Sequence, residues 1–173
     1  MSKRLVVFSV FAEDRPGVIQ SISDVVLQFN GNWLESTLSR LQGQFAGLVH
    51  IEVEAAVRDG LIAALASLSE QGIEISQHSS KGVVEQEGEV NLLEIMIEAN
   101  DRPGIIGEIT TALGQKDINI DSMESGCESA SMAGYSLFRA HLQLALPDGV
   151  SEDELYATLE SVSDDLMISV VED

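Results

Sequence analysis

Basic residues are scarce in this chain. Nine Lys and Arg stand against 29 Asp and Glu in 173 residues, a formal net charge of −20. Proteins that grip DNA do so by displacing counterions from phosphates with Lys and Arg. No basic stripe or recognition helix is present here, so direct nucleic-acid binding is not expected. A single cysteine, Cys127, rules out an internal disulfide. Long apolar runs are missing as well, and none approaches the ~20 residues that cross a bilayer. The opening Met1-Ser2-Lys3-Arg4-Leu5 runs straight into a strand-like segment with no small-residue cleavage site after an apolar core. It reads as no signal peptide, and the expected compartment is the cytoplasm, with no membrane association.

The signatures of catalysis are absent too. There is no HExxH, CxxC, GxGxxG or phosphate-binding loop. The carboxylates are scattered, so no metal site is expected. Glu124 and Glu128 flank Cys127 and oppose its thiolate, which makes it a poor nucleophile. The histidines are His50, His78 and His141, and His50 and His141 read as matching strand positions, the mark of duplicated scaffold. The expectation is a protein that is not an enzyme, with no catalytic residue and no cofactor.

The acidity is uneven. Residues 1–87 hold 6 basic and 11 acidic side chains, a charge of −5, and residues 88–173 hold 3 and 18, a charge of −15. Such charge favours solubility, or forms a surface for a basic protein partner.

What the chain does have is a repeat. Glu13-Asp14-Arg15-Pro16-Gly17-Val18-Ile19 recurs as Asn100-Asp101-Arg102-Pro103-Gly104-Ile105-Ile106, 87 residues on. Ile22 matches Ile109 and Asn32 matches Asn119 at that offset. His50-Ile51 pairs with His141-Leu142 at 91 and Asp59-Gly60 with Asp148-Gly149 at 89, so a middle loop about four residues longer is expected in the second copy. The boundary falls near Gln86-Glu87-Gly88, giving domains at residues 1–86 and 88–173. No low-complexity linker separates them, so close packing of the copies is expected.

Each copy reads alike. Leu5–Phe11 is a buried-strand pattern. Pro16 sits where a helix can start, and Val18, Ile22, Val25, Val26 and Phe29 make one helical face. Asn30-Gly31-Asn32 stops it. Trp33–Leu41 and Phe45–Glu54 are strands joined around Gln42-Gly43-Gln44. Leu61, Ile62, Leu65 and Leu68 mark a second helix, and Ile73–Val84 the last strand. The second copy gives strands at Leu92–Ala99, Ile118–Cys127, Tyr135–Ala145 and Met167–Val171. Its helices carry Ile105, Ile106, Ile109, Ala112 and Leu113, then Ser151–Ser163 with Ser151 and Glu154 at capping-box spacing. A loop of small residues spans Glu128–Gly134. The order βαββαβ, twice, predicts an α+β fold: two ferredoxin-like four-stranded antiparallel sheets, each with two helices on one face. The other sheet faces and edges are left for pairing between the halves or between chains.

The repeated Asp-Arg-Pro-Gly lies where the first strand turns into the first helix. Free amides and partial positive charge at a helix start suit a carboxylate. Gly17 and Gly104 leave that backbone approachable, while Asp14 and Asp101 can receive an ammonium. An amino acid carries both groups. The same residues also read as ordinary local structure, with Asp capping, Pro starting the helix and Gly permitting the turn.

A duplicated βαββαβ unit with this motif resembles tandem ACT domains over Leu5–Val84 and Leu92–Val171. Within them it is most similar to the glycine cleavage system transcriptional repressor group. The resemblance implies an amino-acid effector such as glycine, bound at the strand–helix turns and between paired domains. The candidate ligand-binding residues are Asp14, Arg15, Pro16, Gly17, Val18 and Ile19, with Asn100, Asp101, Arg102, Pro103, Gly104, Ile105 and Ile106. It also implies action on transcription through a partner activator, and a homo-oligomer or an intramolecular ACT pair. Trp33 stands where the second copy has Ile120, either facing ligand or packing in the core. Two rival readings are a small ferredoxin-like hydrolase using Arg15 and Asn32, and an oligomerisation module without ligand.

Overall fold

A computed structural model describes residues 2–78, 91–129 and 136–171. The chain divides into two compact units, Met1–Glu85 and Gln86–Asp173. In the first, the elements are β1 (Lys3–Glu13), α1 (Val18–Gln28), β2 (Asn32–Leu41), β3 (Gln44–Glu54), α2 (Arg58–Ser67) with a short 3-10 turn at Leu68–Gln71, and β4 (Ile73–His78). In the second they are β5 (Asn91–Asn100), α3 (Ile105–Gly114), β6 (Asn119–Ser129), β7 (Ser136–Leu146), α4 (Glu152–Glu160) and β8 (Met167–Val170). Each sheet is antiparallel, in the orders β2-β3-β1-β4 and β6-β7-β5-β8. This is the ferredoxin-like α+β arrangement expected from the element order. The expected boundary at Gln86-Glu87-Gly88, the Ser79–Val84 end of the last strand of copy one, and residues 130–135 lie outside the described residues.

The strand period of two decides which side chains enter the core. Val6, Phe8, Val10 and Ala12 of β1 and Val49, Ile51 and Val53 of β3 are buried with Val18, Ile22 and Val26 of α1 and Leu61 and Leu65 of α2. Full burial of each large aliphatic is worth about 1.5–3 kcal/mol. The second unit repeats this with Leu93, Ile95, Ile97, Leu142, Leu144, Ile105, Ile109, Leu155 and others. The alternate residues of β1 and β3 face away, and among them Leu5, Phe11 and Leu48 are about half exposed.

Local signals place the ends of the elements. Gln42 and Gly43 both have positive φ, 49° and 79°, as a two-residue type I′ hairpin requires. At the end of α1, Asn30 is left-handed at φ 52°. Its amide donates to the Leu27 carbonyl and that of Gly31 to Val26, a Schellman pair. Asp117, φ 55°, does the same for α3, with bonds from Asp117 to Gly114 and from Ile118 to Leu113. Ser151 caps α4 by accepting from the Glu154 amide at 3.2 Å. Glu154 does not complete the expected capping box. Its carboxylate accepts from Lys116 Nζ at 2.5 Å.

The register corrects two repeat matches. Val7 lies opposite His50, and its counterpart Glu94 lies opposite Gln143, not His141. The true offset after the hairpin is therefore 93, not 91, and the second copy is six residues longer there. His141 corresponds to Leu48, so the histidines are not duplicated scaffold. The core residues Val49, Ile51 and Val53 align with Leu142, Leu144 and Leu146, and burial, not residue identity, fixes the register. Asp59-Gly60 lies in α2, whereas Asp148-Gly149 forms a turn with Gly149 at φ 88°, so that match also fails.

Candidate functional site

In both units the last residue of the first strand leads into an Asp-Arg-Pro-Gly turn. The helix does not begin at proline as expected. Gly17 and Gly104 are the N-caps, at φ 96° and 92°, with Pro16 and Pro103 just outside. Pro followed by Gly at these angles makes a type II turn, which demands positive φ at its third residue. In the second copy it is closed by Ile105 N–H donating to the Arg102 carbonyl at 3.4 Å. Glycine is there for its conformation. Nothing lies within 4 Å of a Cβ built on Gly17, and only Glu108 Oε1, at 3.8 Å, near one built on Gly104.

Neither aspartate is the N-cap of its helix, a place held by Gly17 and Gly104, and among the described residues no side-chain cap bond is made there. The Asp14 amide donates to the Gly43 carbonyl and that of Asp101 to Ser136, which ties each turn to the hairpin end of its sheet. The Asp14 carboxylate instead accepts from Arg40, 3.3 Å away. Asp101 accepts a hydrogen bond from the exposed Cys127 thiol, and this bond, helped by the local loss of water and the aspartate charge, raises the thiol pKa above its ordinary value.

The arginines also part company. Arg15 donates to the Gln71 carbonyl at 2.6 Å, fastening the turn to the segment before β4. Arg102 grips Glu108 with both nitrogens, at 2.8 and 2.5 Å. That contact raises the arginine pKa and holds the Glu108 carboxyl below the usual range. Neither arginine is simply solvated. Glu108 lies in the first turn of α3, while α1 has no acid there, Ser21 standing at the matching position. The amides of the first turn of α1 are open, and those of α3 have a carboxylate of the chain's own beside them.

Reading the sequence along one line missed Arg40, Cys127, Glu108 and Asp165. Asp165 accepts from the Asn100 amide at 3.0 Å and from the Ser163 hydroxyl, and these bonds lower its pKa. The structure does not bring Arg15 and Asn32 together. Asn32 pairs with Glu52 across from Leu5, about eight residues or roughly 27 Å along the sheet from the turn. The hydrolase arrangement thus has no geometric basis. Trp33, paired with Ile51, packs against the core at that same far end and faces no turn. Val18 and Ile105 are buried, whereas Ile19 and Ile106 are partly exposed, at 48% and 39%. Among the described residues no three metal-ligating side chains cluster, and no helix is long and apolar enough to cross a membrane.

A ferredoxin-like sheet with a glycine-capped helix after its first strand, built twice, is a paired small α+β domain. The ACT domain family matches both copies, at residues 4–78 and 93–159, and the chain belongs to that family as a tandem ACT protein. No curated protein matches the sequence. Among solved structures, the chain is similar to an unknown protein from Galdieria sulphuraria, at 26% identity and a TM-score of 0.83, over 99% of this chain and 100% of that one. It is also similar to a candidate glycine cleavage system transcriptional repressor, at 16% identity and a TM-score of 0.70, over the full length of both.

Proposed function

We propose that this is a cytoplasmic, non-catalytic regulatory protein that senses a small amino acid such as glycine and acts on transcription through a protein partner. The observation that carries this reading is the open first turn of α1. Among the described residues its amides have no side-chain cap, and the first turn of the helix itself holds no acid. The Asp14 carboxylate stands on the same turn, held among the described residues by one exposed contact to Arg40 at 3.3 Å. A ligand carboxylate would meet the amides of Val18 and Ile19 past Gly17, and its ammonium would meet Asp14. Arg15 and Pro16 set the turn. At the second turn, Asn100, Asp101, Arg102, Pro103, Gly104, Ile105 and Ile106 form the same frame, but Glu108 must swing away before a second carboxylate can enter.

Support for the transcriptional role comes from the likeness to the glycine cleavage repressor candidate and from a charge of −20, which argues for a protein partner over DNA. The exposed Leu5, Phe11 and Leu48 face supports self-association.

Calorimetry with glycine and the other proteinogenic amino acids tests the reading. The expected result is one strong site per chain, lost in Asp14→Asn and retained in Asp101→Asn. Absence of heat with every amino acid would overturn it.

A further inference from the structure

Each sheet turns one face to its helices and leaves the other open. The shared fold lets the two open faces be compared position by position. On the first unit β1 and β3 present Val7, Phe11, Ala46 and Leu48. The register puts Glu94, Glu98, Arg139 and His141 at the same points of β5 and β7. Those four polar side chains are joined in pairs, His141 to Glu94 at 2.6 Å and Arg139 to Glu98. The second face is dressed for water at the points where the first is apolar. On the first, Leu5, Phe11 and Leu48 are about half exposed, and Leu41, on the same face at the hairpin, is 74% exposed. Apolar side chains gathered in this way mark an interaction surface.

The face has the anatomy of an interface. A hollow of about 370 Å³ lies on it, lined by Val7, Glu35, Thr37, Leu48 and His50, and Phe11 and Leu41 project nearer the hairpin end. Charged side chains keep to the margins. Lys3 and Glu52 stand at one end and Glu13 at the other, with Glu35 and Glu74 on the edge strands β2 and β4. An apolar centre inside a polar rim is the usual pattern. The polar groups further in already have partners, His50 with Glu35 at 3.0 Å and Ser9 with His78 at 2.9 Å, so they can be buried without being orphaned.

Chemistry, charge and area favour a second copy of the chain as the occupant. A two-fold interface sets one patch against itself, and this apolar face matches itself. The open face of the second unit, with its carboxylates, does not match it. Residues 1–87 carry −5 and residues 88–173 carry −15, so contact through the first units keeps the more acidic halves out of the interface. Three strands of ten or eleven residues and one of six, spaced as in any sheet, cover roughly 600 Å². Two such faces bury roughly 1,200 Å², the lower end of what a specific interface needs.

We propose that two chains pair face to face through the open sheet of the first unit, with Phe11 and Leu48 at the centre and the second units outside the contact. This deepens the self-association in the reading above and rests on that part of it, not on the effector turn.

Sedimentation of the whole chain without amino acid, over a roughly hundredfold range of concentration, tests it. The mass is expected to rise from one chain to two. The methyl resonances of Leu5, Val7 and Leu48 should shift with that rise, while those of Leu92 and Leu137 on the open face of the second unit stay in place. Phe11→Glu with Leu48→His, the residues that the second unit holds at those points, should weaken pairing by more than roughly a hundredfold in a chain that a urea melt shows to be folded. Leu5→Gln, further along the face, should weaken it alone. A chain that stays monomeric throughout overturns the proposal, whether its face is bare or covered by its own second unit. So does a dimer that survives these changes, or one whose shifts fall on the second unit. Glycine binding is read separately by calorimetry, so either idea can fail without the other.

Discussion

Arg40 and Cys127 hold the same place in the two units. Arg40 lies opposite Phe45 and touches Asp14, and Cys127 lies opposite Phe138 and donates to Asp101. The duplicated aspartate is therefore ion-paired in one copy and hydrogen-bonded to a neutral thiol in the other. The two turns have one backbone and different electrostatics.

The thiol should be slow. With its pKa raised by the bond to Asp101, Cys127 is expected to react with iodoacetamide at pH 8 more slowly than a free thiol, although it is exposed. Asp101→Asn removes the charge and should speed the reaction. The folded state favours the protonated thiol, so the stability this lends is present below the ordinary thiol pKa and is lost as pH rises through the raised one. An unchanged alkylation rate in Asp101→Asn would show that the contact has no hold on the thiol.

Replacing Gly17 by Ala should cost about 1–2 kcal/mol through backbone strain alone, since the φ is positive and the space around a Cβ is open. Gly104→Ala should cost about the same. Urea melts without ligand measure this, and Gly17→Asn should recover part of the loss because Asn tolerates that conformation.

Gly47 should be intolerant for another reason. A Cβ there would stand 2.0 Å from the Thr37 carbonyl oxygen on the neighbouring strand. Gly47→Ala must push β2 from β3, and an overpacking cost of about 1–3 kcal/mol is expected in denaturant melts. A loss below a few tenths would mean that the strands part easily.

Acid should weaken the second unit through Glu108 and Asp165, whose carboxyls are both held below their ordinary pKa. Their contribution is present above the usual carboxylate range and disappears as pH falls through the lowered values. Urea midpoints of the wild type and of Glu108→Gln with Asp165→Asn should differ at pH 7 and converge toward pH 2. A constant gap across that range would rule the linkage out.

The element order, the hairpin at Gln42-Gly43 and the repeat of the Asp-Arg-Pro-Gly turn were all legible in the sequence, because each depends on neighbours a few residues apart. Alternation of Val6, Phe8, Val10 and Ala12 marks a strand face, and the Pro-Gly pair marks a turn, whatever surrounds them. The pairing of His50 with His141 was misread, because a match of letters cannot see which residues face the core. Register is set across the sheet, where Val49 must meet Phe8 and Leu142 must meet Ile95. The differences between the two turns were likewise decided only by tertiary structure. Arg40, Gln71, Cys127 and Asp165 reach the turns from strands and loops 26 to 65 residues away in sequence. Contacts of that kind leave no local periodicity, and they determine that Asp14 meets a cation from β2 while Asp101 meets a thiol from β6; the Glu108 that stands beside the second turn is local, and it was legible as Glu108 against Ser21.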